Sequence, residues 1–185
     1  MDKKLKIMVS SSVYGFENEL DTICALLEAY GYEVINSHYV TIKVTSNFSN
    51  KENCLKAVEE CDLFLGIIRP HCGSGKFDDE LITISEMKKA IELEKFYWFL
   101  AHSNVTFARK LLQNVELKSG DEIVIKDNKH FHKESVEMYN NVTEGKTGNW
   151  VQSFYDITQI MKYIETQFSD KDHINQLINQ QHGRL

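Results

Sequence analysis

Proline, paired cysteines, long apolar runs and basic charge are all scarce in this chain of 185 residues. Its single proline, Pro70, falls where a predicted strand ends. The four cysteines, Cys24, Cys54, Cys61 and Cys72, show no CxxC spacing, which counts against a zinc site. Cys24, Cys54 and Cys61 fall among apolar helix or helix-end residues and read as reduced, buried thiols. No apolar run approaches the roughly 20 residues that cross a bilayer, and the start MDKKLKIMV lacks the long apolar core of a signal peptide. A cytoplasmic location is the expectation. The formal net charge of −6 argues against general nucleic-acid binding, which needs a basic footprint, while leaving room for a local basic pocket.

What is present is ordinary for a soluble domain: 42% hydrophobic and 26% charged residues, in a length that suffices for one core. The chain is organised around Cys61 to Leu100, where two strand-length apolar runs, CDLFLGII and FYWFL, flank a glycine loop and a helical stretch. That is the pattern of a parallel βαβ crossover, whose ligands sit at the carboxyl ends of the strands. Before it, the spacing predicts a strand over Leu5–Ser10, a helix over Phe16–Tyr30, a short strand over Tyr32–Ile35 and a helix over residues 50–60. After it come a helix over Val105–Gln113 capped by Ser103 or Asn104, and β-prone pieces on either side of Ser119-Gly120-Asp121. Those pieces fit either a hairpin or a fifth strand. A short helix near Glu134–Tyr139, a helical period through Trp150–Phe168 and a weak terminal helix complete the chain. The expected fold is a doubly wound α/β domain with a mostly parallel sheet and a C-terminal helical extension. Residues 1–113 form its core, and 114–185 complete the sheet edge and end in a packing helix.

Ser10, Ser11 and Ser12 lie between the first strand and a helix start, where amides and hydroxyls can hold a phosphate or carboxylate; a polar turn is the other reading. Gly73, Ser74, Gly75 and Lys76 form a second loop at the mouth, with Lys76 or Arg69 available to neutralise phosphate. Cys72 in that loop is either a nucleophile or part of a plain turn. Glu86 has Ile82, Thr83, Ala90 and Leu93 near it at helical spacing, so it need not face open water. A carboxylate in a cleft can stabilise or attack an oxocarbenium ion during N-glycosidic cleavage; pairing with Lys89 on the surface is the alternative. His102 and Arg109 follow the fourth strand within reach of the mouth. His130 and His132 lack a third ligand, so no metal is expected. The C-terminal stripe with Trp150, Phe154 and Tyr155 is core or, where exposed, a surface for a second copy or a partner protein.

The segments KIMVSSSVYGFENELD, NCLKAVEECDLFLGIIRPHCGSG and ITISEMKKAIELEKFYWFL resemble the family catalogued as domain of unknown function 4062. The resemblance covers about Lys4 to Gln113, with departures at Gly15, Leu20, Cys72 and Ile84. It implies a TIR-like Rossmannoid (TIR/flavodoxin-like) of bacterial stress, signalling or antiphage pathways. The helix bearing Glu86 is more distantly similar to that of nucleoside deoxyribosyltransferases and of TIR-type NAD glycohydrolases. These likenesses imply NAD or another nucleotide as ligand and an N-glycosidase activity centred on Glu86. Ser10, Ser11 and Ser12 would then hold phosphate, and Arg69, Lys76 or Arg109 would balance its charge. The competing implication is a non-catalytic sensing or interaction module.

Overall fold

The first strand, β1 (Lys6–Ser11), sends successive side chains into two apolar layers, and the other elements are arranged about those layers. The structure, a computed structural model, describes residues 4–71, 76–77, 80–116, 126, 131–144 and 150–182, with 76–77, 80 and 181–182 as backbone alone. Ile7 and Val9 enter one layer, together with Leu20, Ile23 and Leu27 of α1 (Glu17–Ala29). Met8 enters the other. The chain leaves α1 into β2 (Glu33–Ile35), which lies parallel to β1 with Lys6 opposite Glu33 and Met8 opposite Ile35.

Helix α2 (Asn50–Glu60) begins at a capping box. Glu52 N donates to Ser49 Oγ at 3.2 Å and Ser49 N to Glu52 Oε2 at 2.6 Å, so two otherwise orphaned amides are satisfied. Every residue of β3 (Leu63–Ile68) is buried, as befits a strand covered on both faces. A short antiparallel pair, β4 (Lys76–Phe77) and β5 (Glu80–Leu81), precedes α3 (Ile82–Glu92). Then follow β6 (Phe96–His102), α4 (Ser103–Gln113), α5 (Glu134–Thr143), β7 (Val151–Phe154), α6 (Ile157–Phe168) and α7 (Lys171–His182).

Five of these strands form one parallel sheet in the order β2-β1-β3-β6-β7. This is the doubly wound α/β architecture that the alternation of elements predicts. Buried residues of α1, α6 and α7 cover one face, and those of α2, α3, α4 and α5 the other. From β1 the chain first moves outward to β2 and then crosses back to β3. The strand order therefore reverses between β1 and β3, and the crevice beyond their carboxyl ends is where such sheets bind ligands. No described helix is long and apolar enough to cross a membrane.

Two expectations are corrected. Trp150–Phe168 is not one helical stretch: Val151–Phe154 pairs with β6, Phe99 opposite Val151 and His102 opposite Phe154, and only then does α6 start. Phe154 and Ile157 suit a helical period, but strand pairing claims the first of them and Asp156 Oδ1, accepting from Gln159 N at 3.0 Å, caps the helix. Helix α4 starts at Ser103, so its cap is the preceding His102, whose Nδ1 accepts from Asn104 N at 3.1 Å. The helix near Glu134 runs on to Thr143. The stretch around Ser119-Gly120-Asp121 lies outside the described residues, as do Cys72 and His130.

Gly66 stands opposite Ser10 on one side and Phe99 on the other. A Cβ there would meet Phe99 Cε1 at 2.5 Å and Phe64 Cε1 at 3.3 Å. Both rings are buried and cannot swing away. Gly66→Ala should therefore destabilise the fold by about 1–3 kcal/mol through overpacking. A urea melt should show a lower midpoint at unchanged slope. An unchanged midpoint would mean that the close approach of the Phe99 ring is not a constraint.

Candidate functional site

Strand parity places the site. Ser10 follows Met8 on the face covered by α2 and α3, and Gly66 beside it adds no side chain to fill the space. On α3, Ile84, Met87 and Ala90 are buried in that layer, and Glu86 lies on the same buried arc with 5% of its surface exposed. Ser10 Oγ donates to Glu86 Oε2 at 2.5 Å. The Cys54 thiol, projecting from α2, lines the same cavity beside this carboxyl group and is close enough to influence its charge.

Burial lifts the Glu86 carboxyl above the ordinary carboxylate range, and the Ser10 bond and the neighbouring Cys54 thiol pull the other way without cancelling it. The Cys54 thiol is pushed up to about 12, first by burial and then by the nearby Glu86 charge. It stays a neutral thiol. Lys89 lies 3.3 Å from Glu59, so the lysine of the surface-pair reading has another partner. No cation among the described residues pairs with Glu86.

Above the carboxyl group opens a cavity of about 600 Å³ between the carboxyl end of β1 and the chain that follows β2. One wall is the turn Ser11–Tyr14 with Glu17, and another is the apolar trio Val40, Ile42 and Val44. Helix α2 contributes Asn50, Asn53 and Cys54, and α3 contributes Ile82, Thr83 and Glu86. Buried asparagines shape these walls. Asn53 Oδ1 accepts from Thr45 N at 2.7 Å, and its Nδ2 reaches the carbonyls of Thr45, Phe48 and Ser49. The loop ahead of α2 is thereby satisfied without a strand.

The expected residues separate into those the fold brings together and those it does not. Glu86, Ser10, Ser11 and Ser12 meet at one place. Ser10 and Ser12 direct their hydroxyls to protein acceptors, Ser12 Oγ donating to His71 O at 2.5 Å. Arg69 donates to the carbonyls of Ser12, Tyr14 and Gly15 at 3.0, 3.0 and 3.1 Å, and its guanidinium stacks 4.5 Å from the Phe16 ring centre. It fastens the serine turn to the end of β3 and lines a separate hollow of about 390 Å³ with His71 and His102. Arg109 bonds Asn140 Oδ1 at 2.7 Å and lies over Tyr139, joining α4 to α5 away from the cavity. Gly73, Ser74 and Gly75 lie outside the described residues, and Lys76 is described only as backbone of β4.

Cys54, Asn53 and Asn36 were not among the expected site residues. Cys54 shares its helix arc with Ala57 and Val58, which marks the thiol as inward-facing. The asparagines carry a weaker signal, polar residues beside apolar ones with no period of their own. The His132 ring lies 4.1 Å from that of His71. Among the described residues no group of three or more His, Cys, Asp or Glu is placed to hold a metal ion.

The raised carboxyl pKa has a stability consequence. A group that holds its proton more tightly when folded contributes stability on the acid side, and that contribution is lost as pH rises through the folded value. Glu86→Gln should therefore be more stable than the parent, by a margin that widens as pH climbs out of the ordinary carboxylate range. The margin should grow by about 1.4 kcal/mol for each unit separating the folded and unfolded values. Paired thermal melts across pH measure it. A margin that shrinks toward neutral pH would show that Glu86 is ionised and stabilised instead.

No curated protein matches this chain. Among solved structures it is similar to a 2-desoxiribosyltransferase from Leishmania mexicana, at 15% identity and a TM-score of 0.39. That alignment covers 54% of this chain and 65% of the other, so the chain spans somewhat less than two thirds of that enzyme's length. The family model described as domain of unknown function (DUF4062) matches residues 6–179, from the first strand into the last helix. The chain belongs to that family.

Proposed function

We propose that the Glu86 cavity binds a nucleoside-type ligand and that the domain cleaves its N-glycosidic bond. The observation that carries this reading is a buried carboxyl group, bonded to Ser10, at the floor of a 600 Å³ cavity beyond the carboxyl end of β1. In the reaction, a Glu86 carboxylate oxygen stabilises or bonds to the anomeric carbon as the bond from that carbon to the base nitrogen breaks. The base leaves with the bonding pair and takes a proton from solvent. Water then adds to the anomeric carbon and gives one proton to solvent, breaking any bond from that carbon to Glu86, which yields the free sugar and restores the carboxylate. The Ser10 hydroxyl holds the carboxylate in position and balances part of its charge.

Charge favours the nucleoside portion over its phosphates. The described lining carries two acids, Glu17 and Glu86, and no lysine or arginine. The phosphates of NAD or of a nucleotide would have to lie toward the mouth, outside this lining. The role in bacterial stress or antiphage signalling rests on the family resemblance. Assembly with a second copy or a partner protein would involve the exposed Trp150 and Tyr155, because Ile160, Ile164 and Phe168 of α6 are enclosed in the domain's own core.

One observation favours a second reading, a ligand sensor without turnover. Glu86 is nearly enclosed and already accepts a hydrogen bond from Ser10, as a purely binding or structural carboxyl group also would.

Base release from a panel of nucleosides, nucleotides and NAD separates the two. The enzyme reading expects release that falls by at least about 100-fold in Glu86→Gln. Its rate should rise with pH along a limb displaced above the ordinary carboxylate range, since the ionised form reacts. Release that persists in the variant removes Glu86 from the chemistry. Thermal stabilisation by a ligand with no release supports the sensor.

A further inference from the structure

Two described residues other than glycine have left-handed backbone, Val40 at φ 56° and Glu94 at φ 50°. Glu94 has a local cause: it ends α3, with Glu94 N donating to Ile91 O at 3.0 Å and Lys95 N to Ala90 O at 3.1 Å. Val40 ends no helix. A β-branched residue is among the worst choices for this conformation, because its Cβ crowds the following carbonyl oxygen. Nor does burial compensate, since Val40 is 87% exposed.

The conformation is imposed by a buried neighbour. Asn36 Nδ2 donates to Val9 O of β1 at 2.8 Å, and Asn36 Oδ1 accepts from Tyr39 N at 2.9 Å. Asn36 N donates to Thr41 Oγ1 at 2.9 Å, and Thr41 N to Asn36 O at 3.2 Å. These bonds close the turn on both sides of Val40 and anchor it to the sheet. The strained residue stands at the rim of the Glu86 cavity, which Ile42, Val44 and Ile82 also line; Val44 is 74% exposed. Isoleucine and valine side chains in this position offer an apolar surface without hydrogen-bonding groups, suited to the face of a planar aromatic ring.

We infer that residues 36–44 form a recognition lip on which the base of the ligand lies, and that Val40 is a specificity-determining contact held ready by backbone strain. The inference rests on the nucleoside reading of the Glu86 cavity and extends it to the base. The base rests on Val40, Ile42, Val44 and Ile82 while the sugar reaches toward Glu86. Ligand binding buries apolar surface that the free protein leaves in water. Strain that serves ligand contact rather than folding is expected where a turn is over-determined by its surroundings.

Two substitutions separate the strain from the contact. Val40→Gly removes both the side chain and the conformational cost, whereas Val44→Ser removes apolar surface from a residue with ordinary backbone. The probes are adenosine, inosine, cytidine and thymidine, followed by calorimetry and thermal shift, with base release as a second readout. Val40→Gly should raise the melting temperature of the free protein by about 2–4 °C. It should also weaken the bound nucleoside by about 10-fold. In turnover the loss should appear in KM with kcat little changed. Val44→Ser should lose affinity without the gain in melting temperature. Nucleoside binding of undiminished strength in Val40→Gly, with base release still dependent on Glu86, overturns the lip and leaves the reaction standing. A lowered melting temperature in that variant overturns the strain. If none of the four nucleosides binds the unaltered protein, the nucleoside reading and the lip fall together.

Discussion

The hydrogen bond from Ser10 to the enclosed Glu86 carboxyl group is the interaction on which the site depends. A carboxyl group taken out of water is tolerated only with donors or with its proton retained; here Ser10 supplies a donor, and burial raises the carboxyl pKa. The bond joins the carboxyl end of β1 to the middle of α3, so it also sets how closely that helix approaches the sheet. Gly66 makes the same approach tolerable from the other direction, leaving the space beside Ser10 unfilled and letting the Phe99 ring lie against the strand.

Around that floor, α2 and α3 supply part of the walls, and the rest is irregular chain whose backbone is satisfied by polar side chains. Asn53 satisfies the loop before α2, and Asn36 the turn after β2. Arg69 satisfies the serine turn. Each replaces the ladder bonds that a helix or strand would supply to its own backbone. An arrangement of this kind permits a concave site at a sheet end without exposing the layers beneath it. The result is a cavity with a mixed lining, apolar toward the rim and polar at the floor.

Much of the fold was legible in the chain. The continuous apolar run of β3, the period of α1 and the alternation of strands with helices identify a parallel α/β domain. The boundary of β7 was not, because Phe154 and Ile157 have a spacing that a helix and a strand-turn-helix accommodate equally, and only pairing with β6 decides. For the site, Glu86 stood out because its helical neighbours are apolar. Cys54 and Asn36 did not, since a thiol or an amide facing inward says nothing of what lies opposite. Arg69 and Arg109 illustrate the converse: a basic residue near a strand end suggests an anion, yet both guanidinium groups bind backbone or side-chain oxygens of the protein itself.

The partition between the two hollows is a single turn of chain, with Tyr14 bordering both and Arg69 on its far side. One planar cation holds three carbonyl oxygens of that turn, those of Ser12, Tyr14 and Gly15. An ammonium group offers no such fork and would grip fewer of them at once. The separateness of the chambers therefore hangs on the shape of a guanidinium as much as on its charge, and a drift from arginine to lysine at this place would loosen the dividing wall while leaving the net charge of the chain untouched.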